Sequence, residues 1–164
     1  MEQYTLEKVK NYYGEVLKSS QDLKTSACCT TNSIPQHLRH LLTQIHPEVK
    51  NRFYGCGSPI PFQLEGCHVL DLGCGTGRDC YLLSKLVGPA GFVTGIDMTE
   101  AQLTLAREHE GYHTEKFGYK KPNTSFKQGY IEDLETAGIH SQSIDAVISN
   151  CVLNLSPDKP RVFR

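Results

Sequence analysis

The sequence predicts an α/β fold: a parallel sheet of about four strands, preceded by a helical leader. Three observations carry that expectation. From residue 66 onward short apolar runs alternate with helical patterns, the first run ends in a glycine-rich turn, and the second ends in an acid. Strands that alternate with helices pair in parallel through right-handed crossovers.

The leader occupies residues 1–65. Val9, Tyr12, Tyr13, Val16 and Leu17 recur at helical spacing. Residues 26–31, which include Cys28 and Cys29, are small and polar and read as a loop. A second helix is expected after Asn32-Ser33-Ile34-Pro35, with proline in its first turn. Its apolar stripe would run through Leu38, Leu41, Leu42, Ile45, Val49 and Phe53. Residues 66–164 form the α/β part. Cys67-His68-Val69-Leu70-Asp71-Leu72 is the first strand, and a helix through Leu82, Leu83, Leu86 and Val87 follows the turn. Residues 92–97 are the second strand. Thr99-Glu100-Ala101-Gln102 reads as a capping box opening a helix to about Glu110. Residues 124–128 and 144–149 complete the strands, and Ser156-Pro157-Asp158 marks another helix start. A last parallel strand wants cover on both faces and a neighbour at its edge, so the sequence reads as incomplete beyond Arg164.

Composition narrows the function. Of 164 residues, 17 are Lys or Arg and 18 are Asp or Glu, for a net charge of −1, so there is no basic field for nucleic acid. The polar start lacks a secretory pattern, and no apolar run reaches the roughly 20 residues that span a bilayer. A cytosolic protein with no membrane or nucleic-acid partner is expected. Seven cysteines, an odd number, argue against a secreted disulfide scaffold and leave ligation, catalysis or burial as uses for the thiols. A zinc site at Cys28, Cys29 and Cys56 lacks any C-x-x-C pair. His37, His40, His46, His109 and His113 read as surface or helix residues.

The turn itself is Asp71-Leu72-Gly73-Cys74-Gly75-Thr76-Gly77, at the carboxyl end of a strand and opening a helix, where parallel sheets bind nucleotides. A dinucleotide fingerprint would place glycine where Arg78 stands. Asp97 follows at the spacing from which a strand-end acid reaches a ribose. Taken alone, the turn could be an ordinary strand–helix connection and Asp97 a cap. Together they resemble motif I and its partner acid in class I S-adenosylmethionine-dependent methyltransferases. The resemblance implies a Rossmann-like sheet in order 3-2-1-4 and S-adenosylmethionine as cofactor. It implies that Asp71, Gly73, Gly75 and Gly77 cradle the amino-acid tail and sugar and that Asp97, with Met98, holds the ribose. In Gly129-Tyr130-Ile131-Glu132 it places Ile131 on the adenine and Glu132 on its exocyclic amine.

Four further segments narrow the resemblance. Tyr12-Tyr13-Gly14, residues 22–29, Arg52-Phe53-Tyr54-Gly55-Cys56-Gly57 and Ser149-Asn150-Cys151-Val152-Leu153-Asn154-Leu155 resemble arsenite methyltransferases. Trivalent arsenic is soft and selects thiolates over nitrogen or oxygen. The resemblance implies that Cys151 and one further cysteine beyond Arg164 hold arsenic(III), with Cys56 either joining them as a ligand or forming a disulfide with Cys28, for which Cys29 could substitute. An external thiol reductant, thioredoxin or glutathione, would reset that disulfide. Tyr54 would face the sulfonium, and Tyr13, Gly14 and Asn150 would join the cofactor site. Cys67, Cys74 and Cys80 remain as buried space-fillers. Expected substrates are arsenite and methylated arsenic(III) as thiol conjugates, and the expected state is a monomer. Two other readings stay open: a methyltransferase for a carbon or oxygen acceptor such as a quinone, and an inactive short form encoding four of the family's seven strands.

Overall fold

The computed structural model describes residues 2–16 and 34–164. Cys28, Cys29 and the loop around them lie outside the described residues. Helix α1 spans Glu2–Asn11 and passes into a π-helical turn, Tyr12–Val16. Helices α2 (Gln36–Leu42) and α3 (Pro47–Asn51) follow. The expected single helix is therefore two. Pro47 lacks an N–H and disfavours a helical residue before it, and His46 accordingly sits at ψ 136°. Pro35 stands just before α2 rather than inside its first turn.

The α/β part runs β1 (His68–Leu72), α4 (Arg78–Val87), β2 (Phe92–Asp97), α5 (Glu100–Glu108), α6 (Glu110–Phe117), β3 (Thr124–Gln128) and β4 (Ala146–Ser149). A 3-10 turn, Leu153–Leu155, and α7 (Lys159–Val162) come last, with the Asp158 side chain accepting from the Arg161 N–H. All pairings are parallel, in order β3-β2-β1-β4, as expected. Strand β4 starts later than its apolar pattern suggests. At its entry Asp145 exchanges bonds with His68: the carboxylate accepts the His68 N–H (2.7 Å) while the Asp145 N–H donates to the His68 carbonyl.

Two corrections concern α5 and α6. The capping box does not form: the Thr99 side chain makes no cap bond, and the Gln102 side chain donates to the Tyr13 carbonyl instead (2.9 Å). The helix ends at Glu108, and α6, unanticipated, closes on Gly118 at φ +75°.

Alternating strand side chains divide the core in two. Val69, Val93 and Phe126 join α4, α5 and the leader's Leu38, Ile45 and Val49 in one cluster. Leu70, Leu72 and Ile96 join Ile131 and Ile139 in the other. The leader is thus part of the main core. Val147 on edge strand β4 is exposed.

Candidate active site

The carboxyl ends of β1, β2 and β4 open into a cleft walled by the leader on one side and the strand ends on the other. The sheet order reverses here, because β1 has β2 on one side and β4 on the other. Asp71, Gly73, Gly75, Asp97, Met98, Ile131 and Glu132 all line the cleft. So do Tyr13 and Tyr54 from the leader and Asn150 and Cys151 after β4. The rings of Tyr13 and Tyr54 lie 5.9 Å apart.

The glycines of the turn have different uses. Gly75, at φ +54°, faces open space where a Cβ would meet nothing within 4 Å, so the backbone there is bare toward the cleft. Gly77, at φ +81°, does not line the cleft; a Cβ would lie 2.8 Å from the Phe126 ring, so its role is packing. Gly14 also lies off the cleft lining, packed against Thr99.

Asp97 is held by two backbone donors, the Gly75 N–H at 2.9 Å and the Thr99 N–H at 2.8 Å. Burial raises its pKa, and those two bonds oppose the rise. Asp71 is buried beneath the turn, and burial first, then the nearby Asp79 charge, pushes its pKa up to about 8. Glu132 accepts from the Ser156 hydroxyl. Gln102, only 6% exposed and lining the cleft, leaves its Oε1 without a hydrogen-bond donor among the described residues. A bare glycine backbone, a fixed strand-end carboxylate and an unmet buried acceptor fit a polar nucleoside-bearing cofactor.

The two thiols reach the site differently. Cys151 is exposed on the cleft wall and holds φ +58°, a left-handed conformation uncommon for a residue with a Cβ. Cys56 is half-buried and does not itself line the cleft. Its backbone N–H donates to Asn150 Oδ1 at 2.9 Å, so it is anchored to the residue beside Cys151.

That anchor belongs to a network sequence reasoning missed. Asn150 Nδ2 donates to Asp79 Oδ2 (2.9 Å), and Asp79 is paired with Arg78 at 2.6 Å, both side chains buried. Arg78 also donates to the Gly57 carbonyl (3.0 Å) and lays its guanidinium on the Phe53 ring, 3.1 Å from the centroid. Gly55 fits between, since a Cβ would strike both Phe53 and Asn150. The one available signal was a charged Arg78-Asp79 pair opening a helix whose next four residues, Cys80 to Leu83, are apolar.

Among the described residues, one cluster of metal-ligand type stands apart from the cleft: His46, Glu48 and His109. Its two imidazoles are stacked at 3.9 Å, and His109 Nε2 lies 3.2 Å from Glu48 Oε2. His113 is not a surface residue; it is buried and stacked on Tyr81.

A parallel sheet in this order, with a glycine turn and a fixed acid on adjacent strand ends, is the S-adenosylmethionine-dependent methyltransferase fold. Residues 63–164 match the family described as "Methyltransferase domain", and the chain belongs to that family. It is 56% identical over 158 residues to the arsenite methyltransferase of Aquipseudomonas alcaligenes, covering 96% of this chain and 45% of the relative. It is 55% identical over 157 residues to that of Rattus norvegicus, covering 95% and 42%. The crystal structure of an arsenic(III) S-adenosylmethionine methyltransferase from Chlamydomonas reinhardtii matches with a TM-score of 0.76 and 55% identity, over 78% of this chain and 43% of that one. The chain spans less than half the length of the curated relatives it matches. No helix among the described residues is long and apolar enough to cross a membrane.

Proposed function

We propose that the chain is the cofactor- and thiol-bearing part of an arsenite methyltransferase, which moves a methyl group from S-adenosylmethionine to thiol-bound arsenic(III). The observation that supports this most is Cys151, exposed in a left-handed conformation on the wall of the cleft that also holds Asp97 and Gly75. In this reading residues 66–164 bind the cofactor and residues 1–65 form a lid that brings Cys56 and Cys28 to it.

Asp97 takes the ribose hydroxyls on the free sides of its two oxygens, which the Gly75 and Thr99 N–H groups have already oriented. Ile131 covers the adenine, Glu132 accepts from its amine, and Met98, Asn150 and Tyr13 complete the walls, with Gly14 holding the lid close. Gly75 lets backbone approach the amino-acid tail above Asp71, Gly73 lines the same stretch with Val152 packed against it, and Gly77 keeps the turn packed. When bound, S-adenosylmethionine supplies a methyl group already activated by its sulfonium. The protein therefore needs no strong base. Cys56 and Cys151 hold arsenic through sulfur and leave its lone pair available, and the Tyr54 ring face favours positive charge beside it. Anchoring Cys56 through Asn150, next to Cys151, supplies rate through orientation. Cys28 exchanges with Cys56 as a redox partner, and thioredoxin or glutathione keeps both reduced. The protein acts as a cytosolic monomer on arsenite and methylated arsenic(III) conjugates.

The test uses the full-length protein. Cys151→Ser and Cys56→Ser are each expected to lower arsenite methylation by about 100-fold or more while S-adenosylmethionine still binds. Wild-type methylation by either variant overturns that thiol's role. Methylation of a quinone but not of arsenite overturns the substrate.

A further inference from the structure

Two of the thiols that take no part in the reaction just described lie together. Cys74 is the second residue of the glycine turn, and Cys80 is in the first turn of α4. The chain doubles back between them, so both sulfurs rest on the same glycine of β2. A Cβ at Gly95 would lie 2.7 Å from Cys74 Sγ and 2.8 Å from Cys80 Sγ. Cys80 donates to Asp71 Oδ2 at 3.3 Å, and Cys74 faces the Gly75 carbonyl at 3.8 Å. Cys80 is fully buried, whereas Cys74 is 8% exposed and lines the cleft. The pair is a dithiol reached from the cofactor side, beneath the turn that would cradle the cofactor.

We propose that Cys74 and Cys80 form a second binding site, for a trivalent arsenical bearing one carbon substituent, whose occupation weakens cofactor binding. Two thiols match the two replaceable oxygens of such a compound. With methylarsonous acid, two S–H and two As–OH bonds break, two As–S bonds form, and two waters leave with the thiol protons. Arsenic stays trivalent, so no oxidant or reductant is needed. The condensation starts from thiols rather than thiolates, which suits a pair kept protonated by burial. It deprives Asp71 of the Cys80 donor and draws Cys74, and with it the Gly75 N–H, away from Asp97. Binding here depends only on the dithiol; its meaning as feedback on methylation rests on the proposed function.

The probe is methylarsonous acid, with remaining thiols alkylated by N-ethylmaleimide in urea and mapped after trypsin. Cleavage after Arg78 separates the two cysteines. Cys74 and Cys80 are expected to be protected together, both in the unaltered chain and in one with serine at Cys28, Cys29, Cys56, Cys67 and Cys151. S-adenosylmethionine affinity is expected to fall by about tenfold or more and to return on adding dithiothreitol. Cys80→Ser should abolish both effects. Full alkylation of the pair after treatment, or unchanged cofactor affinity with the pair protected, overturns the proposal. If the five-serine chain does not fold, the map of the unaltered chain decides. Because protection is read without turnover, this result and the methylation test of Cys56 and Cys151 fail independently.

Discussion

Asp97 lines the cleft with its carboxylate already held in place. Each oxygen already holds one backbone donor, which fixes its plane and leaves the remaining lone pairs toward the cleft. Asp97→Asn keeps the shape, removes the charge and presents an amide to those donors. Hydrogen bonds to a charged group are worth about 1.5–3 kcal/mol, so S-adenosylmethionine affinity should fall by about 10- to 100-fold in a calorimetric titration. Unchanged affinity would remove Asp97 from the site. His113 works by staying neutral. Its Nε2 accepts the His46 N–H (3.2 Å) and its Nδ1 faces the His109 carbonyl (2.7 Å), so one buried imidazole ties the leader to α6. Burial, the largest cause, pushes its pKa down to about 4 from an ordinary 6.5. The folded value lies below the unfolded one, so its contribution is full above pH 6.5 and is lost as pH falls toward 4. That loss is at most about 3 kcal/mol. Urea midpoints measured from about pH 7 to about pH 4.5 should fall less steeply in His113→Phe than in the unaltered protein; equal slopes would contradict this. The glycine turn and Asp97 were legible in the sequence because their chemistry is local: a spacing and a residue type. His113, Gln102, Arg78 and Asp79 were not, because each acts through partners far along the chain.

At the scale of elements, the Arg78–Asp79 pair at the start of α4 is the joint between leader and sheet. It grips Phe53 and Gly57 on one side and, through Asn150, the end of β4 on the other. Breaking a buried pair strands a charge. Arg78→Met should therefore cost about 3–5 kcal/mol in chemical denaturation, and adding Asp79→Leu should recover part of it. A loss below about 1 kcal/mol would mean that the pair is not the joint described. Strands β1 and β2 were readable because strands at the centre of a parallel sheet carry mostly apolar residues, whereas β3, with Phe126 as its one apolar residue, was legible only as a short segment between turns. Helix boundaries were less so. Pro47 splits a continuous apolar stripe, and the apparent capping box yields to a Gln102 that reaches the leader. Helix α6 went unseen because its buried residues, His113 and Phe117, are only two in eight.

The whole molecule brings residues from opposite parts of the chain to one cleft: Tyr13 and Tyr54 from the leader, Asp97 from β2, and Cys151 beyond β4. The sheet order was legible through the resemblance to class I methyltransferases, which the glycine turn and the acid after it carry. That the leader enters the main core through Leu38, Ile45 and Val49 was not, since an amphipathic stripe does not name what it packs on. This packing matters because it fixes where Cys56 sits relative to Cys151. Arsenic X-ray absorption on the full-length protein, loaded with arsenite and S-adenosylmethionine, tests that convergence most directly. Arsenic is expected to be surrounded by sulfur and to lose one sulfur ligand, or to fail to bind, in each of Cys56→Ser and Cys151→Ser. An arsenic shell that is the same in both variants as in the unaltered protein would contradict it.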